Sequence, residues 1–264
     1  MSGRMYFAVL AVLAAGAPAM AQPLAPEQAS LLEQAREAAI RYSASLPDFL
    51  CTEVVRRMLY PQGNGRWIPM DTLTVKLSYF EHKEDYKLME INGQPTLLEY
   101  QHAGGVLSAG EFGTLLYALF HPRSQGDFRW KDWTTLRKRR AARFSFRIAR
   151  ENSIYRIQYG PVPDGQNAIV VAYHGEVYVD EETHMTLRLK LQAEIPNGFP
   201  INLNDSTVDY EFAAVGGKQY LLPSHARVLT RSGKYAAENN VEFREYRKFQ
   251  AEATITFDPP PGKQ

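Results

Sequence analysis

The sequence holds 264 residues, 45% of them hydrophobic and 22% charged, with a net charge of +1. That composition suits a globular chain that buries a core, and it excludes a disordered or collagen-like polymer. Near-neutrality gives no whole-chain reason to expect nucleic acid as a partner, and the single cysteine, Cys51, excludes an internal disulfide and any paired-cysteine metal or redox motif.

At the N-terminus, Arg4 precedes an apolar run from Tyr6 to Ala15, and Ala19 and Ala21 flank Met20 as small residues that a signal peptidase reads. An apolar run of about ten residues falls short of the twenty or so that span a hydrocarbon core. Residues 1–21 are therefore expected to be a cleaved signal peptide. The mature chain is expected to be periplasmic or secreted, with no transmembrane span and no lipidated cysteine at its start. Residues 22–258 are expected to form one domain and 259–264 a flexible tail.

Pro26 and Glu27 open a helix whose Leu31, Leu32, Ala35, Ala38, Ala39 and Tyr42 recur on one face. A strand follows over 49–60. Leu73, Val75, Leu77 and Tyr79 then alternate with polar residues, the period of a strand buried on one side. Asn92-Gly93 predicts a tight hairpin turn.

The segment 102–122 breaks the β pattern. Ser108 and Glu111 have capping-box spacing, and Phe112, Leu115, Leu116, Leu119 and Phe120 lead to a stop at Pro122. A short helix apolar nearly all round is expected to be enclosed as a plug in the hollow of a curved sheet.

Strands resume beyond it. Phe144 and Phe146 alternate with arginines, Ile154 to Tyr159 is expected to pair with Ile169 to Tyr173, and Leu187, Leu189 and Leu191 mark the clearest strand. Gly216-Gly217 turns the chain, and Phe243 lies in a segment whose alternation slips near Glu245 to Arg247, where a bulge is expected, before resuming through Ile255. About 10–11 strands with hairpin-length links and no βαβ alternation predict a mainly β, α+β chain: one curved antiparallel sheet forming an unclosed half-barrel, with an N-terminal amphipathic helix and a short apolar plug helix.

No catalytic constellation can be assembled. HExxH, GxSxG, Walker and dinucleotide patterns are absent from the sequence. Ser108 is explained by helix capping, and His174 with His184, on one predicted hairpin, lack a third metal ligand. No enzyme, metal or cofactor is expected. Between Asp127 and Arg150 stand nine basic residues, among them Arg137, Lys138, Arg139, Arg140, Arg143 and Arg147, against two acidic ones. Such a stretch could dock an envelope partner or an anionic membrane surface.

The closing Ile255-Thr256-Phe257-Asp258-Pro259-Pro260-Pro261-Gly262, the hairpin strand Gly175 to Asp180 and the order helix, strand, open antiparallel sheet resemble the periplasmic outer-membrane lipoprotein carrier superfamily, whose localisation factors have this plan. The resemblance implies an exported binding protein that holds an acyl or lipid-like ligand, or a lipidated protein, in a concave sheet face. The candidate lining is Leu73, Val75, Leu77, Phe144, Phe146, Leu187, Leu189, Leu191, Phe243 and Ile255, with the helix carrying Phe112 to Phe120 as its plug. The alternative is an interaction or sensor protein acting through the basic segment.

Overall fold

The computed structural model describes residues 23–61, 65–81, 83–107, 112–159 and 168–249. Helix α1 (Pro26–Ser45) leads into β1 (Phe49–Tyr60), β2 (Ile68–Phe80), β3 (Lys83–Ile91) and the two-residue β4 (Gln94–Pro95). After α2 (Thr114–Phe120) come β5 (Asp127–Leu136), β6 (Arg139–Ile148), β7 (Arg156–Gln158) and β8 (Ala168–Val170). Strands β9 (Ala172–Asp180), β10 (Thr186–Glu194), β11 (Leu203–Val215), β12 (Lys218–Ser232) and β13 (Tyr235–Lys248) complete the described chain.

Eleven of these strands form one antiparallel sheet in the order β4-β3-β2-β1-β13-β12-β11-β10-β9-β6-β5. Strands β1 and β13, at opposite ends of the chain, pair in its middle, while the edges β4 and β5 stay apart. The sheet is thus not closed into a barrel, as the sequence pattern predicts. Its turns use the expected chemistry. Asn92-Gly93 and Gly216-Gly217 have positive φ at both positions, as type I′ turns between twisted strands require.

One face of the sheet is apolar across its width. Following the pairing register, Ile91, Leu73, Val55, Val241, Ala226, Val208, Leu189, Val177, Phe144 and Trp130 form a row crossing ten strands. The eight inner members are at most 5% exposed. Both helices seat on this face. Leu32, Ala35, Ala39 and Tyr42 of α1 and Leu116, Leu119 and Phe120 of α2 join the sheet residues in one core cluster. Each large apolar side chain so buried contributes roughly 1.5–3 kcal/mol. The helical periodicity of α1 and the twofold periodicity of the strands therefore converge on a common hollow.

Two expectations are corrected. Strands β7 and β8 do not join the series but form their own two-stranded sheet. They cover a small second cluster of Ile157, Val171, Ala193 and Ile201, and β6 pairs directly with β9. Helix α2 is shorter than its apolar run, and Tyr117 on it is 42% exposed. One side of α2 therefore faces water, because a helix lying across the open side of a hollow is covered only from below. The expected cap at Ser108 and Glu111, the strand through Ile255 and the proposed signal and tail lie outside the described residues. The bulge near Glu245 is present: the β1–β13 register slips between Leu50 and Thr52, opposite Glu245, whose φ is 58°.

Candidate functional site

The hollow gathers the side chains that the sequence places together. Leu73, Val75 and Leu77 on β2, Phe144 and Phe146 on β6, Leu187, Leu189 and Leu191 on β10, and Phe243 on β13 all belong to the main core cluster. Phe112, Leu116, Leu119 and Phe120 face them from the other side, and Leu115 packs partly against the same cluster. Ile255 lies outside the described residues. Phe112 is wedged among rings, with centroids 5.3 Å from Phe49, 5.2 Å from Phe243 and 6.2 Å from Tyr246.

Among the described residues the side chains of the hollow pack into one core cluster. A void of about 10 Å³ remains between Ala39 and Tyr42 of α1, Leu116 of α2 and Leu221 of β12. That is room for about one water molecule.

The cover is fastened by polar groups. Arg57 on β1 occupies an inward-facing position and its side chain is 3% exposed. It holds Asp71 of β2 in a two-pronged pair, Nε to Oδ1 at 2.5 Å and Nη2 to Oδ2 at 2.6 Å. Its remaining donors reach the loop that leads to α2, with Nη2 donating to the Ala103 carbonyl at 3.2 Å and Nη1 to that of Gly104. From β13, Asn239 Nδ2 donates to the Val106 carbonyl at 2.7 Å. Arg57, Asp71 and Asn239 are paired neighbours on β1, β2 and β13, so the sheet register itself builds this anchor. At the far end of the loop, Glu84 Oε1 accepts from the Phe112 amide at 3.4 Å.

The anchor was not singled out in the sequence, although a signal is there. In β1 the inward parity runs Phe49, Cys51, Glu53, Val55, Arg57, and in β2 Asp71 shares the parity of Leu73 and Val75. A charged residue in phase with an apolar face is the mark of a buried polar contact. Glu53, 1% exposed, is a third such residue. Cys51 is buried beside it; burial first and the Glu53 charge second push its thiol well above the ordinary range, which keeps it protonated and inert as a nucleophile.

The basic segment meets carboxylates on the opposite face and edges of the sheet. Arg137 pairs with Asp209 at 2.9 Å and Glu211 at 3.3 Å, and Arg139 with Asp180 at 2.6 Å and Glu182 at 3.0 Å. Arg140 pairs with Glu181, Arg143 with Asp132 at 2.5 Å and Glu176 at 3.4 Å, and Arg147 with Glu194 at 2.7 Å. Lys138 stands with Arg137 at the β5–β6 turn, both at positive φ. The excess charge seen along the sequence is thus balanced across strands. His174 pairs with the same Glu194 while His184 sits in the turn beyond the other end of β9, so the hairpin does not bring the two imidazoles together. Among the described residues no group of three His, Cys, Asp or Glu is placed to hold a metal, and no helix is long and apolar enough to cross a membrane.

No family model and no curated protein matches the sequence. Several solved structures align with the chain at low sequence identity. A LolA superfamily protein from Nitrosomonas europaea aligns over 85% of this chain and 94% of its own, at 9% identity and a TM-score of 0.37. A DUF1329 family protein from Desulfovibrio piger aligns over 84% and 95%, at 8% identity and 0.40. The lipoprotein LppX of Mycobacterium tuberculosis aligns over 83% and 95%, at 9% identity and 0.31.

Proposed function

We propose that this chain is an exported envelope protein that binds a hydrophobic, acyl- or lipid-like ligand in the concave face of its half-barrel. The observation that carries the reading is the apolar row across ten strands, covered by two helices rather than by a second sheet. Helix α2 has seven residues, too few to be stable without its tertiary contacts, and the loop before it is held by three side-chain hydrogen bonds, two from Arg57 and one from Asn239. Such a cover can lift without breaking the sheet, because strand pairing owes it nothing. In this reading residues 1–21 direct export, and lifting α2 exposes Leu73, Leu189, Val208 and Phe144 as one surface.

Native mass spectrometry of the protein recovered from an envelope extract, together with uptake of a neutral fluorescent apolar probe by the delipidated protein, tests the reading. Co-purified amphiphile and saturable uptake are expected. Leu189→Asp, which puts a carboxylate in the middle of the row, is expected to abolish uptake in a protein that still shows β circular dichroism. Undiminished uptake by that folded variant excludes the concave face as the site.

A further inference from the structure

Arg56, Asn240, Arg227 and Thr207 stand side by side on β1, β13, β12 and β11, in a row across the face of the sheet that points away from the helices. Two residues along the same strands, Glu242 of β13, His225 of β12 and Asp209 of β11 form a second row, about 7 Å from the first. A groove of about 180 Å³ lies between the rows, floored by the paired Ala226 and Val241, whose side chains point the other way into the core. The register of β12 with β11 slips here: Asp209 pairs with His225 and Tyr210 with Pro223, which leaves Ser224 as an extra residue. Such a bulge re-aims the side chains beside it.

The charges around the groove differ in how fully they are engaged. Asp209 is held through both oxygens by Arg188 and through Oδ1 by Arg137 as well. Glu238 accepts from Arg227 on one oxygen and from Asn240 on the other. Glu242 is met differently. Both Nη atoms of Arg56 converge on its Oε2 from 3.3 Å, and among the described residues its Oε1 accepts no hydrogen bond. The side chains of Arg56 and Glu242 are 56% and 32% exposed, so their contact contributes little and opens readily. Arg227 commits only Nη2 to Glu238, which leaves Nε and Nη1 as donors.

We propose that this groove binds a small zwitterion with an oxyanion and an ammonium a few bonds apart, the oxyanion on Arg56 and Arg227 above Asn240 and the ammonium on Glu242 Oε1. An anion alone gains at the arginines but meets Glu242 and Glu238 beside them, and a cation alone gains at Glu242 but faces two guanidinium groups. A ligand of both signs is matched at both rows. A free aminoalkyl phosphate and an ethanolamine phospholipid headgroup both present this chemistry. The charged groups of the groove lie on the face away from the hollow, so the site goes beyond the hydrophobic-ligand reading and does not depend on it.

The test is an NMR titration of the intact protein at fixed ionic strength with phosphoethanolamine, ethyl phosphate and ethanolamine, following the amides of Ala226 and Val241 and the side-chain amide of Asn240. Phosphoethanolamine is expected to bind about fivefold more tightly than either of the others. Glu242→Gln is expected to remove its advantage over ethyl phosphate while ethyl phosphate itself binds no worse. Arg227→Gln is expected to weaken both phosphate esters about threefold. Equal binding of the three compounds to the unaltered chain, a preference unchanged in Glu242→Gln, or no shift at these amides each overturns the proposal and leaves the hydrophobic-ligand reading standing. Flotation with phosphatidylglycerol vesicles, with and without phosphatidylethanolamine, separates the two sources. Flotation that requires phosphatidylethanolamine assigns the lipid headgroup, and phosphoethanolamine binding without flotation assigns the free compound.

Discussion

Arg57 occupies a position where strand alternation calls for an aliphatic side chain. A guanidinium held there at 3% exposure is tolerated because Asp71 and two carbonyls surround it. Removing one partner of such a pair leaves a buried charge alone. Arg57→Leu is therefore expected to cost about 3–5 kcal/mol, read as a lower urea midpoint. Asp71→Leu alone should cost a similar amount, and the double variant Arg57→Leu/Asp71→Leu should recover most of the loss, since two leucines suit the hollow. A double variant as weak as either single one would show that the pair's worth lies elsewhere. Hydrogen exchange at the amides of 103–107 should quicken in all three variants. Arg57 and Asp71 could have been flagged in sequence by their parity, whereas Asn239 could not, because only the β1–β13 register brings it beside Arg57.

Elements in this chain differ in how much of their stability is their own. The strands are held by ladders on both sides through the centre of the sheet, so a backbone fault there is not repaired locally. Gly175 on β9 shows this most directly: a Cβ at that position would lie 1.9 Å from the Lys190 carbonyl oxygen of β10 and 3.0 Å from the Phe146 ring. Gly175→Ala has to push β9 and β10 apart, and a loss of about 1–3 kcal/mol in urea unfolding is expected; a variant of unaltered stability would mean that the two strands are not paired as described. Helix α2 is the opposite case. Its boundaries were blurred in sequence because Phe112 and the helix share one apolar run, and its exposed Tyr117 was not foreseen, since composition does not say which side of a short helix a sheet will cover. The detachment of β7 and β8 was equally invisible: alternation marks a strand, and it does not say which sheet the strand will join.

At the scale of the whole molecule, the outer surface is a lattice of ion pairs that depends on pH. Glu194 is held below ordinary carboxylate values chiefly by the Arg147 guanidinium. For Asp180, Asp209 and Glu238 burial works upward as the largest influence, yet the arginines beside them outweigh it and the net shift is downward. A carboxylate whose folded value is depressed contributes stability that is present above its ordinary range and is lost as pH falls through the folded value. Asp205, raised by burial, acts in the opposite sense, giving stability at low pH that is lost as pH rises. With four groups against one, the urea midpoint is expected to fall as the pH drops below about 4. Arg139→Gln should make that fall shallower, by an amount limited by the solvent exposure of most of these pairs. A midpoint level down to about pH 3 would count against the pairs.

Hydrophobic period and turn chemistry are local properties, and from them the sequence by itself determined α1, the strands of a curved antiparallel sheet, its tight turns, the bulge near Glu245 and the inward-facing set from Leu73 to Phe243. Pairing between distant residues is not local. Only the tertiary structure decided that β1 and β13 meet in the middle of the sheet, that Arg57, Asp71 and Asn239 form one anchor beneath the loop to α2, and that the basic segment is matched by carboxylates from neighbouring strands. Side chains far apart in the chain become neighbours through register, and register is set by the whole sheet at once.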